Sequence, residues 1–193
     1  MKIITISREY AAGGHSIGRK VAEELGLEFY DRDIIRESAK ASGMEINQVE
    51  QAEETFSRAD SILHSITPIS YDQKDVLYEY QRDIILQLAR KGPMVLLGRN
   101  GNVILREAGI ESLNVFIYAN ESHRAARAAE LLGLTHPAEI QKAMKKIDHD
   151  RHTYYSHYTG RRWGDISDYN LALDSGALGY DGCIRLICEA AKL

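Results

Sequence analysis

Cysteine is almost absent from this chain: Cys183 and Cys188 are the only two, five residues apart. Neither a disulfide framework nor a zinc set follows from such a pair, and a reduced compartment is the expectation. Long apolar runs are absent too, and none approaches the length that crosses a bilayer. The first β-branched run begins at Ile3, which leaves no room for a signal peptide. A cytoplasmic protein with no membrane association follows as the expectation. Positive charge is not in excess: the formal net charge is −4. That gives no support for a nucleic-acid binder, and any basic site must be local. No internal repeat or low-complexity tract is present. Hydrophobic residues are 44% and charged residues 27%, a globular balance rather than a disordered one. The 193 residues suffice for one substantial core, so a single domain over 1–193 is expected.

What is present is organised around Ile3 to Gly26. A β-branched run, Ile3 to Ile6, is followed by a turn containing Ala11, Ala12, Gly13 and Gly14. Ile17, Val21 and Leu25 then recur at helical spacing. A buried strand that breaks through small residues into a helix gathers free backbone N–H groups at one point. Together with the positive end of the helix dipole, those donors suit a phosphate. Ala12, Gly13, Gly14, His15 and Ser16 are the candidate cradle. The plainer reading, a strand-turn-helix with glycines for tight packing, fits the same stretch. The signature G-x-x-x-x-G-K-[ST] is not matched. With Gly13 as its second glycine, Gly14 stands where the lysine belongs and Arg8 where the first glycine belongs.

Downstream, Leu27 to Tyr30 reads as a second strand and Asp31-Arg32-Asp33 as the opening of a helix. Asn47 with Glu50 resembles a capping pair, and 60–70 is weakly patterned. The spacing predicts a long helix over 72–91, with Val76, Tyr80, Ile84 and Leu88 on its apolar face, stopped by Gly92-Pro93. Strands are expected at Met94 to Leu97, Leu113 to Ala119 and Tyr169 to Leu173. Helices are expected over Val103 to Ala108, from Asn120 or Ser122 to Leu132, from Pro137 through Ile147, and over Ile184 to Ala190. This alternation predicts a three-layer α/β/α fold with a parallel sheet. Ligands of such sheets sit beyond the C-terminal strand ends.

Those ends carry Ser7 and Arg8, Asp31 and Asp33, Gly98-Arg99-Asn100, and Asn120. An arginine such as Arg99 grips a phosphate with two parallel hydrogen bonds. Asp31 and Asp33 suit a magnesium-water shell or a substrate hydroxyl, and equally a helix cap. Glu9 repels a bare triphosphate unless magnesium or an arginine intervenes. Asp148-His149-Asp150-Arg151-His152 has no common helical face for a metal. With Tyr154, Tyr155, Tyr158, Arg161 and Trp163 it reads instead as a mobile segment that closes over phosphates, or as a solvated helix end and loop. Arg124 and Arg127, three apart on one helical face, contribute to that field or face solvent.

In their order and spacing these motifs resemble the cytidylate kinase-like proteins, relatives of bacterial cytidylate kinase among the nucleoside monophosphate kinases. Gly98-Arg99-Asn100 resembles the Gly-Arg-Asp turn of cytidylate kinases, and Asn114 to Ala119 with Arg124 to Arg127 resembles their fourth strand and arginine-bearing helix. Ile147 to Arg151 resembles the Asp-x-x-Arg lid stretch, and Tyr169 to Ser175 the closing strand. The resemblance implies a P-loop kinase fold with a five-stranded parallel sheet, an acceptor-binding helical insertion at about 31–91 and a lid at about 148–168. It implies ATP on Arg8 and Ala12 to Ser16, Mg2+ near Ser16, and a nucleotide or similar small acceptor near Asp31, Arg36 and Arg99. Arg124, Arg151 and Arg161 would face the transferred group. The oligomeric state is not set; a homodimer is one arrangement the sequence permits.

Three departures accompany the resemblance: Gly14 for the lysine, Leu97 for an acidic residue before the Gly-Arg turn, and Asn100 for the aspartate of that turn. Arg8, His15, Arg19 and Lys20 are all near enough to replace the lysine's charge, and the sequence does not choose among them. Both a small-molecule kinase and a non-catalytic nucleotide- or anion-binding regulator on a kinase scaffold fit these residues.

Overall fold

The computed structural model describes residues 2–31 and 71–193, with side chains from residue 78 onward in the second stretch. Asp33, Arg36, the helices expected between 31 and 60 and most of the acceptor-binding insertion lie outside the described residues. Five strands, β1 (Ile3–Arg8), β2 (Glu28–Tyr30), β3 (Met94–Leu97), β4 (Ser112–Tyr118) and β5 (Leu171–Asp174), form one parallel sheet ordered β2-β3-β1-β4-β5. β1 is central, pairing Ile4 with Val95 on one side and with Leu113 on the other.

The helices are α1 (Gly14–Leu25), α2 (Tyr71–Lys91), α3 (Gly101–Glu107), α4 (Glu121–Leu132), α5 (Pro137–Thr159) and α6 (Ser175–Ala190). Alternation along the strands divides the core. Ile4, Ile6, Val95, Leu97, Val115 and Ile117 pack with Ile17 and Val21 of α1 and Ile184 and Ile187 of α6. Ile3, Met94 and Leu96 face Ile84, Ile85 and Leu88 of α2 and Ile104 and Leu105 of α3. Both faces of the sheet are therefore covered, which explains the unbroken apolar strands. Each fully buried aliphatic side chain contributes about 1.5–3 kcal/mol. A smaller cluster of Ala11, Ala128, Ile140 and Met144 sets the loop after β1 onto α4 and α5. Among the described residues no helix is long and apolar enough to cross a membrane.

Three elements differ from the sequence expectation. In α2 the buried positions are Tyr78, Gln81, Ile84, Ile85 and Leu88, so the inward face passes through Gln81 and Tyr78 rather than Tyr80. Helix α5 does not stop near Ile147 but runs to Thr159, closed by Gly160 at φ 64°. Residues 148–159 of the expected cover are thus helical, because Tyr154 and Tyr158, four apart, share a face that meets Tyr78. The Tyr78 and Tyr158 rings stack at 4.0 Å with a 4° tilt. Helix α6 begins at Ser175, ahead of Ile184, under an Asp174 cap that accepts from Gly176 and Ala177 N–H. It is broken at Gly179 (φ 68°, ψ 166°).

Candidate functional site

The loop after β1, residues 9–13, leaves the centre of the sheet at its C-terminal edge. The last carbonyl of β1 and two of the loop's own are held by three different elements. Arg8 O accepts from Arg151 Nη1 of α5 at 2.9 Å, and Tyr10 O accepts from Arg124 Nη1 of α4 at 3.2 Å. Ala12 O accepts from Ser175 Oγ at 2.7 Å. Asp148 of α5 accepts from Tyr10 N–H at 2.7 Å and from Arg124 at 2.5 Å. With those oxygens turned outward, the loop presents the start of α1 to the crevice. The first backbone hydrogen bond of that turn is Ile17 N–H to Gly13 O at 3.0 Å. The N–H groups of Gly14, His15 and Ser16 precede it and remain for a ligand. Ala12 N–H is turned instead to Glu9 O, at a long 3.4 Å.

Backbone strain marks the same edge. Ala11 lies at φ 59°, and Gly98, Arg99 and Asn100 are three successive left-handed residues at 75°, 57° and 55°. Each non-glycine member costs about 1–2 kcal/mol and persists only where neighbours fix it. Gly98 N–H donates to Ile6 O at 2.9 Å, which docks the turn on β1. Arg99 Nη1 donates to the buried Gln81 Oε1 at 3.2 Å, and Tyr154 Oη donates to the same oxygen at 3.1 Å. Asn100 is buried, and among the described residues its Nδ2 has no hydrogen-bond partner.

Between the two turns lies Arg8. Its Cβ and Cγ are each 2.7 Å from where a Cβ on Gly14 would sit, and its Nη1 fills the corresponding place at Gly98. Burial, then the neighbouring charges of Arg151 and Arg99, lower its pKa to about 9, against the weaker pull of Asp31 and Asp148. It still carries its charge at neutral pH. Burial also lowers Arg151, which Asp148 and Tyr10 partly offset. Arg151 and Arg99 thus act as like charges on the buried Arg8, with Asp31 and Asp148 opposing them more weakly. Such a field favours an anion.

The other expected residues divide. His15 Nε2 lies 3.1 Å from Asp31 Oδ2, joining the start of α1 to the end of β2. Ser16 is exposed on the first turn of α1. Arg124 is enclosed by protein: its Nε lies 3.4 Å from Glu9 and its Nη1 is on Asp148. Glu9 is turned away from the cradle, accepting also from Ala119 N–H at 3.2 Å. Burial raises its pKa while Arg124 and that N–H oppose the rise. Arg127 does not share the surroundings of Arg124; it is exposed and pairs with Glu130 at 2.8 Å. Arg161 is bound to the buried Asp168 at 2.9 Å, alongside Arg106 at 3.0 Å and Tyr155 Oη at 3.0 Å.

Sequence reasoning missed Gln81, Asp168, Ser175 and Tyr180. The ring of Tyr180 lies where a Cβ on Gly13 would be, so Gly13 serves close approach as well as its φ of 82°. Polarity inside the apolar stripe of α2 was the available signal for Gln81; the rest meet their partners only through the fold. Among the described residues no group of three or more His, Cys, Asp or Glu is placed to hold a metal ion.

The architecture is shared with P-loop kinases of known structure. An uncharacterized protein from Eubacterium ventriosum superposes with a TM-score of 0.76 at 23% identity, covering 100% of this chain and 99% of the other. Shikimate kinase from Bacteroides thetaiotaomicron gives 0.58 at 10% identity, covering 100% and 99%. A gluconokinase from Sinorhizobium meliloti gives 0.52 at 18% identity, covering 99% and 95%. At these identities the likeness establishes the fold. No functionally curated protein matches the chain significantly. Residues 3–177 match the cytidylate kinase-like family, and the chain belongs to it.

Proposed function

We propose that this protein is a phosphotransferase that moves a phosphoryl group from ATP, with Mg2+, to a nucleoside monophosphate or a similar small acceptor. The observation that carries the reading is the buried Arg8, set between the turns at Gly14 and Gly98 and under the like charges of Arg151 and Arg99, a positive field that an anion would relieve. Catalysis of phosphoryl transfer consists mainly of positioning and charge neutralisation, which is what such an edge supplies. The bond from the acceptor oxygen to the γ-phosphorus forms as the bond to the ADP oxygen breaks.

In this reading Gly13 to Ser16 hold the donor phosphates through backbone N–H groups, and Arg8 and Arg151 neutralise them. Arg99 and Asp31, with Arg36 and the 31–91 insertion, take the acceptor, and the 148–168 segment with Arg161 covers the site. Arg124 acts by holding the loop rather than by touching the transferred group. The Ser16 hydroxyl and the Asp31 carboxylate are hard oxygen donors of the kind magnesium accepts, so the donor set fits the ion. Bound with ATP, magnesium would supply positive charge that offsets the phosphates.

The glycine at position 14 favours one other reading, a nucleotide-binding regulator without turnover. Incubation with γ-labelled ATP, Mg2+ and a panel of nucleoside monophosphates and small phosphate acceptors tests the two. The proposal expects acceptor-dependent label transfer. Tight ATP binding with no transfer to any acceptor would establish the regulator instead.

A further inference from the structure

Four basic residues near the loop were candidates to replace the charge of the absent lysine, and their surroundings separate them. Arg19 and Lys20 are exposed on α1, and Lys20 is paired with Glu23 at 2.9 Å. His15 is exposed and engaged with Asp31. Arg8 alone lies between the two turns, its stem against Gly14 and its Nη1 against Gly98. No hydrogen bond or ion pair within 4 Å engages its guanidinium among the described residues, although Asp31 and Asp148 act on it from farther away.

The contact with Gly14 says more. A Cβ at position 14 would stand 2.7 Å from the Cβ of Arg8, and that Cβ is fixed by the pairing of Arg8 with Ile117 in the sheet. A side chain at position 8 and a side chain at position 14 therefore exclude one another. We propose that Arg8 and Gly14 are one compensated exchange: the cation that the phosphate-loop signature places at the seventh position is supplied here from the first, and it grips the donor phosphates. Gly98 completes the exchange, since a Cβ there would collide with Nη1 of Arg8. From this position the stem of Arg8 borders the donor cradle at Gly14, and its guanidinium lies at Gly98, beside the acceptor turn. Its planar fork can take two oxygens, where an ammonium acts as a point charge. This rests on the phosphotransferase reading above and assigns its missing cation.

The test is calorimetric titration of inorganic tripolyphosphate and of Mg·ATP into wild type, Arg8→Gln, Gly14→Lys and Arg8→Gly/Gly14→Lys, with melting temperature beside each. Arg8→Gln should weaken both ligands on the order of 10²-fold, the scale of a lost charged donor at such a site. Gly14→Lys alone should lower the melting temperature, because the two Cβ atoms compete. The double variant should relieve that competition and recover affinity to within about 10-fold of wild type. Arg19→Ala and Lys20→Ala should bind within about 2-fold of wild type. The inference is overturned if folded Arg8→Gln binds as wild type does, or if the double variant melts normally yet stays as weak as Arg8→Gln. A wild type that binds neither ligand would instead remove the phosphotransferase reading itself.

Discussion

The guanidinium of Arg151 donates to the backbone carbonyl of Arg8 at 2.9 Å, tying the middle of α5 to the last residue of the central strand. The same side chain lies 3.7 Å from Asp148, which receives the N–H of Tyr10. Loop and helix are therefore one unit. A ligand that draws Arg151 inward must also act on the loop.

Arg151→Ala leaves the Arg8 carbonyl without its donor and Asp148 with only Arg124 and the loop N–H. It also relieves repulsion on Arg8. The net loss should be about 1–2 kcal/mol in urea unfolding, with weaker tripolyphosphate binding. An unchanged denaturation midpoint together with unchanged affinity would mean that the tie is incidental.

Arg8→Gln should behave in the opposite way in the absence of anions. It removes a desolvated charge that Arg151 and Arg99 repel. In phosphate- and sulfate-free buffer it should gain about 0.5–2 kcal/mol, the usual exchange of stability against a strained site. Added sulfate should then raise the melting temperature of wild type more than that of the variant. A lower melting temperature for the variant in anion-free buffer would contradict this.

Asp168 ties the end of α5 to α3. Its carboxylate takes Arg161, Arg106 and the Tyr155 hydroxyl, and Tyr155 in turn accepts from Asn102 at 3.1 Å. Its side chain is 3% exposed, whereas Arg161 and Arg106 are 48% and 37% exposed. Asp168→Ala should therefore destabilise by about 1–3 kcal/mol, because the buried Tyr155 hydroxyl loses its acceptor while the half-exposed arginines turn to water. Arg161→Ala should lose less than about 1 kcal/mol, because Arg106 stays on the same oxygen. Equal losses for the two variants in chemical denaturation would refute this division.

Alkaline pH should destabilise the protein through Cys188. Burial, then Glu24, raises its thiol from 9.0 to about 11. A raised folded pKa means stability fully present below pH 9 and lost progressively between 9 and about 11. Each unit corresponds to about 1.4 kcal/mol, so the loss across that window is bounded near 2–3 kcal/mol. Cys188→Ala should flatten the fall of melting temperature over that window. A slope identical to wild type would place the titrating group elsewhere.

The strands were legible because both faces of the sheet are buried, leaving unbroken runs such as Met94 to Leu97. The helix face of α2 was misplaced because Gln81 is polar, and its burial depends on Arg99 and Tyr154 arriving from other elements. Helix α5 was cut short because its tyrosines read as stacking faces for a ligand, when they stack on Tyr78. At the site, the glycines announced close approach without saying what approaches. Tyr180 fills the space beside Gly13, and Arg8 fills the space beside Gly14. Arg124 and Arg127 share one helix spacing, yet one is enclosed and the other exposed, because only Arg124 meets Glu9 and Asp148.

In the proposed function the edge formed by Arg8, Arg151 and the start of α1 binds the phosphates of ATP. Phosphorus NMR of Mg·ATP with and without the protein tests it most directly, with Arg8→Gln as the comparison. Wild-type protein should shift or broaden the β- and γ-phosphorus resonances, and Arg8→Gln should largely abolish the effect. Resonances unchanged by wild-type protein at millimolar ATP would contradict it.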